Sequence, residues 1–304
     1  MRRRRARLLA VPFGAALFAA MIIAPPMAAA QEATPPASFE ASRAIGHAAA
    51  LAALGPRVEG SVPEARAASY CIAVLRASGY AVTTMPFRLP NGRISRNVIA
   101  AKPGRSQRQL VIGGHLDSKS PSPGANDNGS GVGVVLELAR VLKDADVEPT
   151  VVFVLFGSEE MIGRDPNLHH FGSRVYVARL TSAQKRLVSG MVSVDMVGYG
   201  SRFVVRTMGV GPGTVQSRLR TFSSARGAYL RYIRDGSRAG LSDHEAFERA
   251  RIPAAVITWQ DDPAYHTRGD TAPRLQAKPV EVTGSVLGAW IAGMTAADLT
   301  ALRP

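Results

Sequence analysis

Six short runs of apolar and β-branched residues constrain this chain more than any other feature: Asn97 to Ala101, Leu110 to Gly114, Val151 to Phe156, Met191 to Val197, Phe203 to Thr207 and Ala254 to Trp259. Runs with so little polar alternation suit strands covered on both faces. Helical patterns lie between them. Gly131 to Leu142 is apolar nearly all round, which fits a helix packed deep against a sheet. Strands alternating with helices predict an α/β fold, with a mostly parallel mixed central β-sheet sandwiched by helices.

Upstream, Phe39 to Leu54 reads as a helix. Ser61-Val62-Pro63-Glu64 has capping-box spacing, in which the serine oxygen and the glutamate would each satisfy an orphan backbone N–H, and Gly79 closes the helix so opened. Tyr70, Cys71, Val74 and Leu75 share one stripe of it, so Cys71 reads as a core thiol. It is the only cysteine, and the chain can form no internal disulfide.

At the N-terminus, Arg2 to Arg5 and Arg7 precede the apolar stretch Leu8 to Ile23, and Ala28 and Ala30 supply a small-x-small cleavage site before Gln31. Residues 1–30 are expected to be a signal peptide, and the mature protein to be periplasmic or extracellular. Pro12, Pro25 and Pro26 break the run short of the roughly 20 residues a spanning helix needs, so no stable membrane insertion is expected after cleavage. Arg4-Arg5 before Leu8-Leu9 is compatible with twin-arginine export. Residues 31–38 read as a disordered lead-in and residues 39–304 as one domain. Loss of the leader's five arginines lowers the net charge from +14 to +9. The arginines between Arg202 and Arg251 are scattered and no nucleic-acid motif occurs, so the basic balance reads as a solvated surface without a nucleic-acid partner.

Ligands of such sheets gather beyond the carboxyl ends of the strands. The candidate chemistry sits there: His115 and Asp117 after the Leu110 run, Asp127 in the "GANDNGSG" that follows, Glu159 and Glu160 after Phe156, Asp195 after Val194, and Tyr265 and His266 beyond Trp259. Each has an ordinary reading: a hydrogen-bonded histidine, an Asn-Gly turn, a solvated glutamate pair. Asp195 is harder to dismiss, because an aspartate inside "VSVDMVG" costs several kcal/mol unless it is paired or binds metal. Two imidazoles and several carboxylates on one sheet edge match the donor chemistry of zinc. Four crowded carboxylates repel one another, and two divalent ions would remove that repulsion.

"HLD", "GANDNGSG", "SEE", "DMVG", "SDHEAF" and "YHTRGDT" occur in the order and approximate spacing of the zinc aminopeptidases of metallopeptidase family 28, which the chain resembles from Leu54 to Thr271. "GPRVEGS" and "RNVIA" resemble that family's upstream segments. The resemblance implies a di-zinc peptidase domain over residues 39–304 that acts on peptide substrates. Two zinc ions are implied, with His115 and Asp195 on one, Glu160 and His266 on the other, and Asp127 bridging. It also implies Glu159 as general base, Tyr265 as a hydrogen-bond donor to the tetrahedral intermediate, and a cis peptide between Asp127 and Asn128. Asp117, two residues after His115, is expected to accept that ring's other N–H.

The chain departs from the simplest family pattern after "SEE", where "MIGRDPNLHHFGS" inserts several residues before Gly172-Ser173. His169 and His170 in it are expected to form a loop rim that shapes access. "SDH" at 242–244 reads as support near the cleft, since no G-x-S-x-G elbow accompanies it. Glutaminyl cyclases share the fold and hold a single zinc at positions matching Asp127, Glu160 and His266. "HLDSK" and "HHFGSR" resemble them, whereas Tyr265 stands where they usually have tryptophan. A carboxypeptidase for acidic peptides and a catalytically inactive binding module are the remaining alternatives, and nothing here specifies an oligomeric state.

Overall fold

The computed structural model describes residues 38–303, apart from Arg164, Pro166 and 236–239. The expected leader, and the lead-in up to its last residue, lie outside the described residues.

Successive strand side chains point to opposite faces, so each apolar run feeds two cores at once. In β3 (Gln109–His115), Leu110 and Ile112 join one core and Val111 the other; in β4 (Thr150–Phe156), Val151, Phe153 and Leu155 face the first and Val152, Val154 and Phe156 the second. Burial on both faces is the reason these runs lack alternation. The remaining strands are β1 (Val82–Arg88), β2 (Ile94–Lys102), β5 (Val188–Val194), β6 (Arg202–Thr207), β7 (Arg231–Arg234) and β8 (Ala254–Gln260). They form one sheet in the order β1-β2-β4-β3-β5-β8-β6-β7. The central four, β4-β3-β5-β8, are mutually parallel, while β1 on β2, β2 on β4 and β6 on β8 pair antiparallel. The expected run to Val197 stops three residues earlier: Asp195 makes a last amide bond to Ile257 O at 3.1 Å, and Met196 takes φ 50°. β1 and β7 were not among the expected runs; their side chains are largely half-buried or exposed, so no continuous apolar signal marks them.

The larger core is covered by α1 (Ala41–Ala52), α2 (Val62–Ala77), α3 (Gly131–Leu142), α6 (Thr214–Ser224), α8 (Ala277–Ala292) and α9 (Ala296–Leu302). The smaller core lies under α4 (Phe171–Arg179) and α7 (His244–Arg249); α5 (Ser182–Leu187) leads into β5. In α3, Leu136, Leu138 and Leu142 are fully enclosed between the sheet and α1, α2 and α8, each contributing about 2 kcal/mol of burial. Cys71 lies buried in α2, and burial pushes its thiol up to about 12.

The capping box of α2 forms by half. Ser61 accepts the amide of Glu64, but the Glu64 carboxylate turns inward to accept from Gly60 N at 2.6 Å, Ser95 Oγ at 2.6 Å and Ser158 N at 3.1 Å. The connection from β3 to β4 crosses one face through α3, and that from β4 to β5 crosses the other through α4. A crevice therefore opens at the carboxyl end of β3. No single described helix is long and apolar enough to cross a membrane.

Candidate metal centre

His115 ends β3, Glu159 and Glu160 lie just past β4, Asp195 follows β5, and His266 sits six residues beyond β8. These are the carboxyl ends of the four parallel strands, and Asp127 enters from the turn between β3 and α3. Two donor groups result. His115 Nε2 lies 3.3 Å from Asp127 Oδ1 and 3.6 Å from Asp195 Oδ1. His266 Nε2 lies 3.1 Å from both Asp127 Oδ2 and Glu160 Oε1. Donors held about 2.1 Å from one tetrahedral ion stand roughly 3.4 Å apart, which is the spacing seen here. Asp127 belongs to both groups.

Two buried oxygens, Asp127 Oδ2 and Asp195 Oδ1, have no hydrogen bond of acceptable geometry. Buried carboxylate oxygens are costly to leave so, and a cation is the partner this donor set suits. The protons show the same concentration of negative charge. Burial disfavours a charged His115, yet Glu159 and Asp195 outweigh it and hold the ring well above its ordinary range. Burial likewise opposes charge on His266, but its contacts to Asp127 and Glu160 raise it to about 10. Burial and the charge of Asp127 push Glu160 up to about 8.

Asp127 is held by its neighbours on both sides. The carboxylate of Asp270 accepts from the amides of Asn126 at 2.6 Å and Asp127 at 3.0 Å. The peptide from Asp127 to Asn128 is cis. Asn128 donates to Val194 O at 2.9 Å and accepts from Gly131 N at 2.9 Å, tying the turn to the end of β5. Buried Arg57 donates to the carbonyls of Leu116 (2.7 Å), Pro123 (2.5 Å) and Gly124 (2.9 Å), closing the loop that leads to the turn. Asp270 and Arg57 had no assigned role in the sequence; both lie in recognised motifs, "YHTRGDT" and "GPRVEGS", and that was their only signal.

Asp117 does more than face His115. Its carboxylate accepts the amides of Glu159 and Glu160, each at 2.9 Å, while His115 Nδ1 lies 3.2 Å from the Asp117 carbonyl and 3.5 Å from Oδ1. It thus braces β3's loop against the glutamate pair. Of "SDH", Ser242 donates to Asp195 Oδ2 at 2.6 Å and so supports a donor, whereas His244 faces Asp235 and Glu248 at 3.8 and 3.9 Å. Burial and the charge of Glu159 raise the neighbouring Asp243 to about 7. Tyr265, 51 % exposed, stacks on the His266 ring at 3.7 Å between centroids. Partial burial of the ring and the carboxylates of Asp127 and Glu160 raise its phenol above its ordinary range, leaving a protonated O–H. The expected access rim is corrected: His169 and His170 are buried, and His170 contacts Glu159 directly. The loop folds inward because the His170 amide donates to Glu159 O.

Residues 97–291 match the model of peptidase family M28. The chain belongs to that family. As an M28 member it is 29% identical to "Aminopeptidase YwaD" of Bacillus subtilis (strain 168) over 72% of this chain and 50% of that protein. It is 30% identical to "Leupeptin-inactivating enzyme 1" of Streptomyces exfoliatus over 80% of this chain and 55% of that one. The chain thus spans about half the length of these curated relatives. Among solved structures it is similar to BSAP, a zinc aminopeptidase from Bacillus subtilis, with TM-score 0.74 and 20% identity over 83% of this chain and 94% of that one. It is equally similar to Porphyromonas gingivalis glutaminyl cyclase, with TM-score 0.73 and 23% identity over 83% and 98%. At these identities the likeness is one of fold.

Proposed function

We propose that this M28 chain is an exported zinc exopeptidase that removes the N-terminal residue of peptides. The observation that carries the reading is the pair of donor groups sharing Asp127: His115, Asp127 and Asp195 for one ion, Asp127, Glu160 and His266 for the other. Two divalent charges would balance the four carboxylates, Glu159 included. When bound, zinc supplies Lewis acidity to the scissile carbonyl and makes water acidic enough to be deprotonated near neutral pH. Export rests on the leader-like residues 1–30.

Glu159, next to a ligand but outside both donor groups, takes the proton of the attacking water and returns it to the leaving amine. Tyr265, with its phenol protonated, donates to the oxyanion that develops as the carbonyl carbon becomes tetrahedral. Asp117 holds the Glu159 and Glu160 amides and the His115 ring in one geometry. An aminopeptidase is favoured over a carboxypeptidase. The names of the relatives support the same direction.

The test compares zinc-loaded and chelated mature protein on unblocked aminoacyl anilides, N-blocked peptides and peptides beginning with glutamine. Zinc-dependent release of amino acid from unblocked substrates alone is expected, with two zinc ions per chain. Conversion of N-terminal glutamine to pyroglutamate without release of an amino acid would overturn the reading. Glu159→Gln should retain zinc and lose roughly 100- to 10,000-fold in kcat; a fully active variant removes Glu159 as the base.

A further inference from the structure

The segment between Glu160 and α4 ends in a histidine that the two donor groups leave unused. His170 returns to the end of β4 by its backbone, its amide donating to Glu159 O at 2.7 Å and the next amide, of Phe171, to Ser158 O at 2.8 Å. Its φ of 54° is left-handed, a conformation uncommon in non-glycine residues but one that histidine, like asparagine and aspartate, adopts more readily than most. That backbone turns the ring inward, where only 4 % of the residue stays exposed. Nε2 lies 2.9 Å from Glu159 Oε1, and Nδ1 lies 3.1 Å from Glu245 Oε2.

Glu245, on α7, is itself immobilised. Its carboxylate accepts from Gly240 N at 2.8 Å and Arg249 Nε at 2.7 Å, with Arg174 at 3.4 Å. The ring of His170 is therefore clamped between the Glu245 carboxylate, fixed by other groups, and the buried Glu159 carboxylate. With Oε1 of Glu159 tied to the ring, Oε2 points toward the donors, 3.9 Å from His115 Nε2. We propose that His170, anchored by Glu245, is a positioning residue that sets the rotamer of Glu159 and aims its free oxygen at the attacking water. The proposal rests on the reading of Glu159 as base.

His169, His170 and Glu245 also converge closely enough to suggest a third cation site. The side chains argue otherwise. Two guanidinium groups lie against Glu245, and they repel a cation. Nε2 of His170 is already turned to Glu159.

The test uses zinc-loaded full chain with His170→Leu, His170→Gln and Glu245→Gln, each alone and combined with Glu159→Gln. His170→Leu is expected to lower kcat on the order of 100-fold with KM within about twofold and zinc content unchanged, as for a catalytic group displaced by a fraction of its proper position. His170→Gln, whose amide nitrogen reaches the place of Nε2, should recover most of that loss, and Glu245→Gln should lower kcat in the same direction. In the Glu159→Gln background none of these changes should matter further. Effects that add to Glu159→Gln, a rise in KM at constant kcat, or loss of zinc would overturn the proposal. If His170→Leu does not fold, the cycle between Glu245→Gln and Glu159→Gln decides it by the same criterion. An inactive Glu159→Gln beside normal His170 variants sinks the positioning role alone, whereas an active Glu159→Gln sinks the base assignment beneath it.

Discussion

At the scale of single residues, the centre is a competition between protons and cations for the same donors. In the metal-free protein Glu160 keeps its proton up to about 8 and His266 up to about 10. Both must give it up to bind zinc. Below those values binding releases protons, so the apparent zinc affinity should climb as pH rises from 6 to 8. Calorimetric titrations in buffers of different ionisation heat read both effects, and an affinity flat with pH would refute the assignment of these two donors. Asp270 offers a second check. It never touches a donor atom but holds the amide of Asp127 through a contact spanning 143 positions. Asp270→Asn should therefore weaken zinc binding by about 10- to 100-fold while the far-ultraviolet circular dichroism stays that of the parent.

The elements matter through how closely their ends approach. Gly131 opens α3 where a Cβ would stand 2.1 Å from Val194 O and 2.3 Å from Asn128 Oδ1. Only glycine lets the helix start against the exit of β5, and that approach puts Asp127 and Asp195 on one histidine. Gly131→Ala should cost about 1 to 3 kcal/mol, read as a lower urea midpoint, and should loosen zinc binding as Asn128 is displaced. An unchanged midpoint would mean that the turn and strand have room to separate. The strands of the central sheet were legible from their apolar runs because burial on both faces leaves a continuous signal. β1 and β7 were not, since edge strands with half-exposed side chains look like loop. The α2 capping box shows the opposite error: the local spacing is right, but Glu64 finds better partners in Ser95 and Ser158, far along the chain.

At the scale of the whole molecule, zinc held by the proposed donors would join the ends of four strands and one turn, so its removal should be felt in global stability. At free zinc about 100 times the dissociation constant, binding adds about 2.7 kcal/mol for one site, and chelation should lower Tm by roughly 5 to 10 °C. A Tm indifferent to chelator would mean that the donors do not hold zinc in the folded chain. The amino-acid order alone determined the class of fold, the strand ends where chemistry collects, and which residue types gather there, because periodicity and burial are written locally in the chain. Only the tertiary structure decided that Asp127 stands between two donor groups, that Asp117 carries the glutamate amides, that Arg57 and Asp270 hold the turn, and that His170 turns inward onto Glu159. Those contacts depend on strand order and on the path of loops between distant segments, and local propensity carries no record of either.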